Sequence, residues 1–135
     1  AYLRQLGADT VEVKKLLQNN LEDAKEKCEI IQSARTYRDE IAIAVWEKKT
    51  SRVLAAQAAD ELLNISGITA SFVLYQDANQ VYISARSIGQ ANVQVILEPL
   101  GGGGNTATAG AQVKDKTIRE VLVDLKTSID QYFAE

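Results

Sequence analysis

The sequence predicts an α/β domain: a central mixed, largely antiparallel sheet of about five strands with helices packed on both faces, plus an N-terminal linker helix region. Three observations carry this. Ile41-Ala42-Ile43-Ala44-Val45-Trp46 is a continuous apolar run of strand length, as expected of a strand buried on both faces. Ala70 to Gln76 and Gln80 to Ser87 flank the turn residues Asp77-Ala78-Asn79 and read as a hairpin of antiparallel strands. Ile118, Val121, Leu122, Leu125, Ile129, Tyr132 and Phe133 recur at helical spacing, giving a last helix with a broad apolar face to lay on the sheet.

In chain order, Asp9-Thr10-Val11-Glu12 has the cap and acid spacing of a helix start, predicting a helix from about Thr10 to Gln18. Asn19 and Asn20 are expected to interrupt it. Leu21, Ala24, Cys28 and Ile31 then define the apolar face of a second helix, with Cys28 a small core residue given no function. Thr36 to Arg38, the turn Asp39-Glu40, and Ile41 to Trp46 follow as strand, turn and strand, and Trp46 reads as a packing residue at the strand end. Leu54, Ala58, Leu62 and Ile65 mark a helix closed by Ser66-Gly67, on which Gln57 and Asp60 read as solvated positions. After the hairpin, Asn92 caps a short helix with Val93, Ile96, Leu97 and Leu100 as its apolar positions, and Pro99 halts regular helix near Leu97. Gly110 to Val113 supplies another strand, and Thr117-Ile118-Arg119-Glu120 is a capping box for the last helix.

The chain is organised around Val81 to Val113, where strand, turn and short helix lead into Gly101-Gly102-Gly103-Gly104. Each glycine loses roughly 0.5–1 kcal/mol more than alanine on ordering, so the run should serve a backbone shape that side chains forbid. Gly101 alone also reads as a helix C-cap. Strand alternation turns Val81, Ile83 and Ala85 to one face and Tyr82, Ser84 and Arg86 to the other. Arg86 stands near the strand's end, where a planar guanidinium suits either a sheet-edge carboxylate or a phosphate. These glycines follow a helix, whereas those of a nucleotide P-loop precede one. The neighbouring helix dipole is therefore negative, and anion binding needs a nest of loop amides plus a cationic side chain.

Composition excludes several chemistries. The sequence has no histidine, so histidine triads, His-ligated zinc and histidine acid–base catalysis are absent from this chain. No Gly-Lys-Ser/Thr loop or Cys-x-x-Cys pair occurs, and the single Cys28 cannot form an intramolecular disulfide, which fits a reducing compartment such as the cytoplasm. Net charge is −3 with no basic run, which argues against indiscriminate polyanion binding. No stretch is long and apolar enough for a membrane span. There is no methionine, even at position 1, so the sequence reads as part of a longer protein.

Ile83-Ser84-Ala85-Arg86-Ser87, Asn92-Val93-Gln94-Val95-Ile96, and Leu100 through Gly104 to Ala109-Gly110 together resemble the DHH-associated domain of DHH-family phosphoesterases. The wording is most similar to the membrane-anchored bacterial cyclic-di-AMP phosphodiesterases of the GdpP type. Ala1-Tyr2-Leu3-Arg4 with Gly7-Ala8-Asp9-Thr10 resembles the end of a DHH domain and its linker, and Gln57-Ala58-Ala59-Asp60 also fits. The resemblance implies linker helices over residues 1–33 and a substrate-binding domain over 34–135. It implies a parent whose DHH domain holds two manganese ions and hydrolyses cyclic-di-AMP to pApA, while this chain binds no cofactor and carries no catalytic residue. Implied partners are the parent's own DHH domain and a cyclic dinucleotide or short oligonucleotide, and a homodimeric parent is compatible with it. The chain itself would be a cytoplasmic domain without direct membrane contact, in a parent anchored in the bacterial cell membrane. Arg86 and Ser87 would contact phosphate or nucleotide, with Gly101, Gly102, Gly103 and Gly104 lying along it. The family pattern is GGGGH, and here Asn105 stands at the histidine position, so this contact would be an uncharged amide. The alternatives are the binding domain of a RecJ-like exonuclease or oligoribonuclease, or a catalytically impaired nucleic-acid-binding module.

Overall fold

A computed structural model describes residues 10–134. The cap expected at Asp9 and the linker motif before it lie outside the described residues. The elements are α1 (Thr10–Gln32), β1 (Arg35–Tyr37), β2 (Ile41–Trp46), α2 (Arg52–Leu62), β3 (Ala70–Asp77), β4 (Gln80–Ser87), α3 (Val93–Leu97), a 3-10 turn (Glu98–Leu100), β5 (Gly103–Gly104), β6 (Thr108–Lys114) and α4 (Ile118–Ala134). One sheet runs in the order β1-β2-β3-β4-β6-β5. Only β2 and β3 pair parallel, so the sheet is mixed and largely antiparallel as predicted. The sixth strand, beyond the five expected, is made from two of the consecutive glycines.

Strand alternation divides the core between the two faces. Ile41, Ile43, Phe72, Leu74, Val81, Ile83, Ala85, Ala109 and Ala111 pack against α3 and α4, where Val93, Ile96, Leu97, Val121, Leu125 and Ile129 are buried. Ala42, Ala44, Val73 and Tyr75 face the opposite side, under α2 and the end of α1. Ala55, Ala58 and Ala59 of α2 are buried there, because small side chains let the helix lie close on the sheet. Trp46 packs at the edge of this layer, its indole Nε1 buried and without a hydrogen-bond partner among the described residues, and Lys48 lies over its ring.

Two expectations in the N-terminal region are corrected. α1 runs unbroken through Asn19 and Asn20. An interior asparagine forgoes only about 0.5–0.7 kcal/mol relative to alanine, which does not outweigh propagation of a 23-residue helix anchored at its far end. That anchor is Ile30, with Lys27 paired to Glu61 at 3.1 Å and Thr50 Oγ1 donating to Glu26 at 3.1 Å. Cys28 is exposed and Leu21 is 63% exposed, so the stripe they were expected to form is not the buried one. Ile65 likewise lies past the end of α2, half exposed. No described helix is long and apolar enough to cross a membrane.

The capping box of α4 forms as expected. Thr117 N–H donates to Glu120 Oε1 at 2.9 Å, and Glu120 N–H donates to Thr117 Oγ1 at 3.1 Å. The Thr117 amide, and then its side chain, hold the Glu120 carboxyl below the ordinary carboxylate range. A depressed folded-state pKa contributes stability that is present above the unfolded value, roughly 4.3, and is lost as pH falls through the folded one. The melting-temperature gap between the chain and Glu120→Ala should therefore be open at neutral pH and narrow on acidification below that value. A gap independent of pH would show that the carboxylate contributes nothing.

Candidate functional site

Cross-strand partners in a sheet project to the same face, so the register lays out the site row by row. On the α2 side, Tyr75, Tyr82 and Gln112 form one row. Val73, Ser84, Gly110 and Gly103 form the next, and Ser71, Arg86 and Thr108 the third. α2 covers the β3 and β4 part of this face, fixed by Ser71 Oγ donating to Ala59 O at 2.6 Å. Beyond it, β6 and β5 are nearly bare of side chains in the middle row. The result is an open groove of about 480 Å³ with Gly103 and Gly110 in its floor. Its rims carry Arg52 and Ala56 from α2, Tyr82 and Gln112 at one end, and Arg86 and Thr108 at the other.

The four glycines have different reasons. Gly101 is left-handed at φ +81° and caps the 3-10 turn, its N–H donating to Glu98 O at 2.9 Å. A Cβ on Gly102 would stand 2.7 Å from Gly110 O and 2.9 Å from the Leu97 and Ala111 Cβ atoms. On Gly104, at φ +145°, it would stand 2.4 Å from Thr108 O. Close approach of β5 to β6 thus demands glycine at both positions. Gly103 is the exception: a Cβ there meets nothing within 4 Å and would point into the groove. The loop amides are also largely engaged, since Gly102 N–H donates to Leu97 O and Asn105 N–H to Thr108 O. An anion placed in this groove would therefore meet mainly side chains rather than loop amides.

Arg86 is the more deeply seated of the groove's two arginines. Its Nε donates to Asp60 Oδ1 at 2.9 Å and its Nη1 to Ala85 O at 2.8 Å, leaving Nη2 without a hydrogen-bond partner among the described residues. The arginine side chain is 17% exposed and that of Asp60 61%, so the guanidinium is the seated member and the carboxylate its solvent-side tether. The two uses considered for Arg86 are thus compatible: part of its fork is tied to a carboxylate and part is free. Tyr75 and Tyr82 stack with ring centroids 5.2 Å apart. Burial pushes the Tyr75 phenol up, and the nearby Arg52 charge works against that rise.

The groove brings together Arg86 and Gly101 to Gly104, but Ser87 and Asn105 do not line it. Ser87 alternates to the other face, is buried, and accepts from Gly89 N–H at 3.0 Å. Asn105 is exposed, and its Oδ1 accepts from Ala107 N–H at 3.0 Å and Thr108 N–H at 2.9 Å, pinning the turn into β6. One groove residue escaped sequence reasoning, since Arg52 drew no notice. Asp60 is solvated as expected, but its tie to Arg86 was not anticipated. The signal was present as Arg52, Ala56 and Asp60, spaced by four on the helix face opposite Leu54, Ala58 and Leu62.

Fold and groove together define a class: an α/β domain with a mixed six-stranded sheet and an arginine-rimmed groove built on a glycine floor. The chain belongs to the DHHA1 domain family, whose model matches residues 38–135. It is 43% identical to the cyclic-di-AMP phosphodiesterase PdeA of Listeria monocytogenes and 44% identical to the cyclic-di-AMP phosphodiesterase GdpP of Bacillus subtilis, in each case over 98% of this chain. It spans only 21% of those relatives' length. Among solved structures, an exopolyphosphatase-related protein from Bacteroides fragilis superposes with a TM-score of 0.72 at 18% identity, over 82% of this chain and 34% of that one, a likeness of fold.

Proposed function

We propose that this chain is the substrate-gripping domain of a DHH-family phosphodiesterase that cleaves cyclic-di-AMP to pApA. The observation that carries this reading is Gly103. The fold places no demand on it, yet it keeps the groove floor flat one sheet row from the free edge of the Arg86 guanidinium. A flat floor beside a planar cation fits a phosphodiester bearing a planar base, and identity to cyclic-di-AMP phosphodiesterases over nearly the whole chain favours the cyclic substrate.

The chemistry belongs elsewhere in the parent. Among the described residues no three His, Cys, Asp or Glu side chains gather into a metal-binding group, so the residues present do not fit a manganese pair. The two manganese ions are proposed for a DHH domain outside this chain, and membrane anchoring for a further part of the parent. On this reading the chain's role is to hold the phosphodiester in place by Arg86 and the floor.

The test is a titration of the chain with cyclic-di-AMP followed by amide NMR, with manganese added at the end. Shifts should centre on Gly101 to Gly104 and on β4 and β6 around Arg86, and no pApA should form. Turnover by the chain alone would overturn the reading. Tighter binding of a linear oligoadenylate than of the cyclic dinucleotide would favour the RecJ-like alternative.

A further inference from the structure

Among the described residues the groove is lined by two cations and no carboxylate, in a chain whose net charge is −3. One of them, Arg86, is partly neutralised by Asp60. The other, Arg52, has no ion pair, hydrogen bond or ring contact among the described residues, although it stands on the groove rim and is exposed. Its own helix gives it no reason to be there. Arg52 opens α2, where the dipole disfavours a cation, the first turn contains no acid, and the cap is already supplied by Ser51, whose Oγ accepts from Leu54 N–H.

Arg52, Ala56 and Asp60 follow one another at single turns along the helix, and Asp60 carries Arg86. Eight residues of helix rise about 12 Å, so the two arginines are rooted near opposite ends of the wall that α2 provides. Between them Ala56 presents only a methyl, leaving the Ser84–Gly110–Gly103 row open below. The Arg52 end also carries the stacked Tyr75–Tyr82 pair and Gln112.

We propose that Arg52 is the second anion anchor of this groove, and that the ligand carries two phosphate groups, one on Arg86 and one on Arg52. The inference rests on the phosphodiester reading above and deepens it. A ligand with one phosphate uses the pre-seated Arg86, and a second phosphate brings in the uncompensated Arg52. The groove thereby selects dinucleotides over mononucleotides by counting charges, in addition to any reading of the base.

The experiment compares the unsubstituted chain, Arg52→Gln, Arg52→Lys and Arg86→Gln by NMR titration with cyclic-di-AMP and with 3′,5′-cyclic AMP, which has a single phosphodiester. Loss of a hydrogen bond to a charged group corresponds to about tenfold in affinity. Arg52→Gln should weaken cyclic-di-AMP by that factor while leaving cyclic AMP within about twofold. Its cyclic-di-AMP affinity should fall less steeply with added salt than that of the unsubstituted chain, and Arg52→Lys should restore the salt dependence. Arg86→Gln should weaken both nucleotides. Unchanged cyclic-di-AMP affinity in Arg52→Gln, with Arg86→Gln impaired, overturns the second anchor and leaves the proposed function standing. Equal losses for both nucleotides in Arg52→Gln also overturn it, because Arg52 would then serve the first phosphate. Failure of the unsubstituted chain to bind either nucleotide overturns the proposed function and this inference with it.

Discussion

Gly104→Ala should destabilise the domain by about 3 kcal/mol, while Gly103→Ala, its immediate neighbour, should leave stability unchanged or slightly raised. At Gly104 two effects act together. The new methyl would meet Thr108 O at 2.4 Å and Ala109 Cα at 2.6 Å, and both are atoms of the backbone that cannot rotate away. The residue also sits at φ +145°, where side chains are strained by roughly 1–3 kcal/mol. Relief is available only by letting β5 peel from β6, which limits the loss to the stability of that edge. Gly103 has neither problem, and alanine there removes unfolded-chain entropy worth about 0.4–1 kcal/mol. Thermal unfolding checks the pair: a fall on the order of 10 °C for Gly104→Ala, and no fall for Gly103→Ala. The same two variants separate fold from ligand, because the Gly103 methyl enters the groove and should weaken nucleotide binding in a fully folded chain. Equal melting temperatures for the two would refute the distinction between them.

The sheet was legible because its signals are local and redundant. The apolar run of β2, the hairpin turn after β3 and the amphipathic α4 each name their own element, and burial agrees with the alternation read along β4. The glycine run was legible as unusual but not in its parts. That Gly102 and Gly104 answer to β6 while Gly103 answers to nothing in the fold depends on how closely β5 approaches β6, a tertiary distance that composition does not encode. The Arg86–Asp60 pair was hidden for a similar reason. Its members are 26 residues apart and belong to a helix and a strand, so their meeting is a product of packing. Asn19 and Asn20 misled in the opposite sense, since a weak local preference was read as a break when anchoring at Ile30 decides the length of α1.

Arg86→Ala should reduce cyclic-di-AMP binding by roughly 10- to 100-fold, the range set by about 1.5–3 kcal/mol for hydrogen bonds to a charged group. Folding should hardly change, because the substitution leaves behind an Asp60 that is already well exposed, and such pairs contribute about 0–1 kcal/mol. Asp60→Asn is the more informative partner, as two effects oppose each other. Removing the carboxylate frees positive charge for the ligand, but screening by water keeps that gain small at so exposed a group. Removing the tether also lets the Arg86 fork wander, and ordering a long side chain on binding costs about 0.5–1.5 kcal/mol. Loss of preorganisation should therefore win, with affinity falling about two- to tenfold, and falling further at high salt where the charge gain vanishes. In the Arg86→Ala background Asp60→Asn should have no effect, because there is nothing left for it to hold. The four proteins of this cycle, titrated with cyclic-di-AMP, decide the matter. Additive losses would make Asp60 an independent contact, and unchanged affinity in Arg86→Ala would remove this arginine from the site.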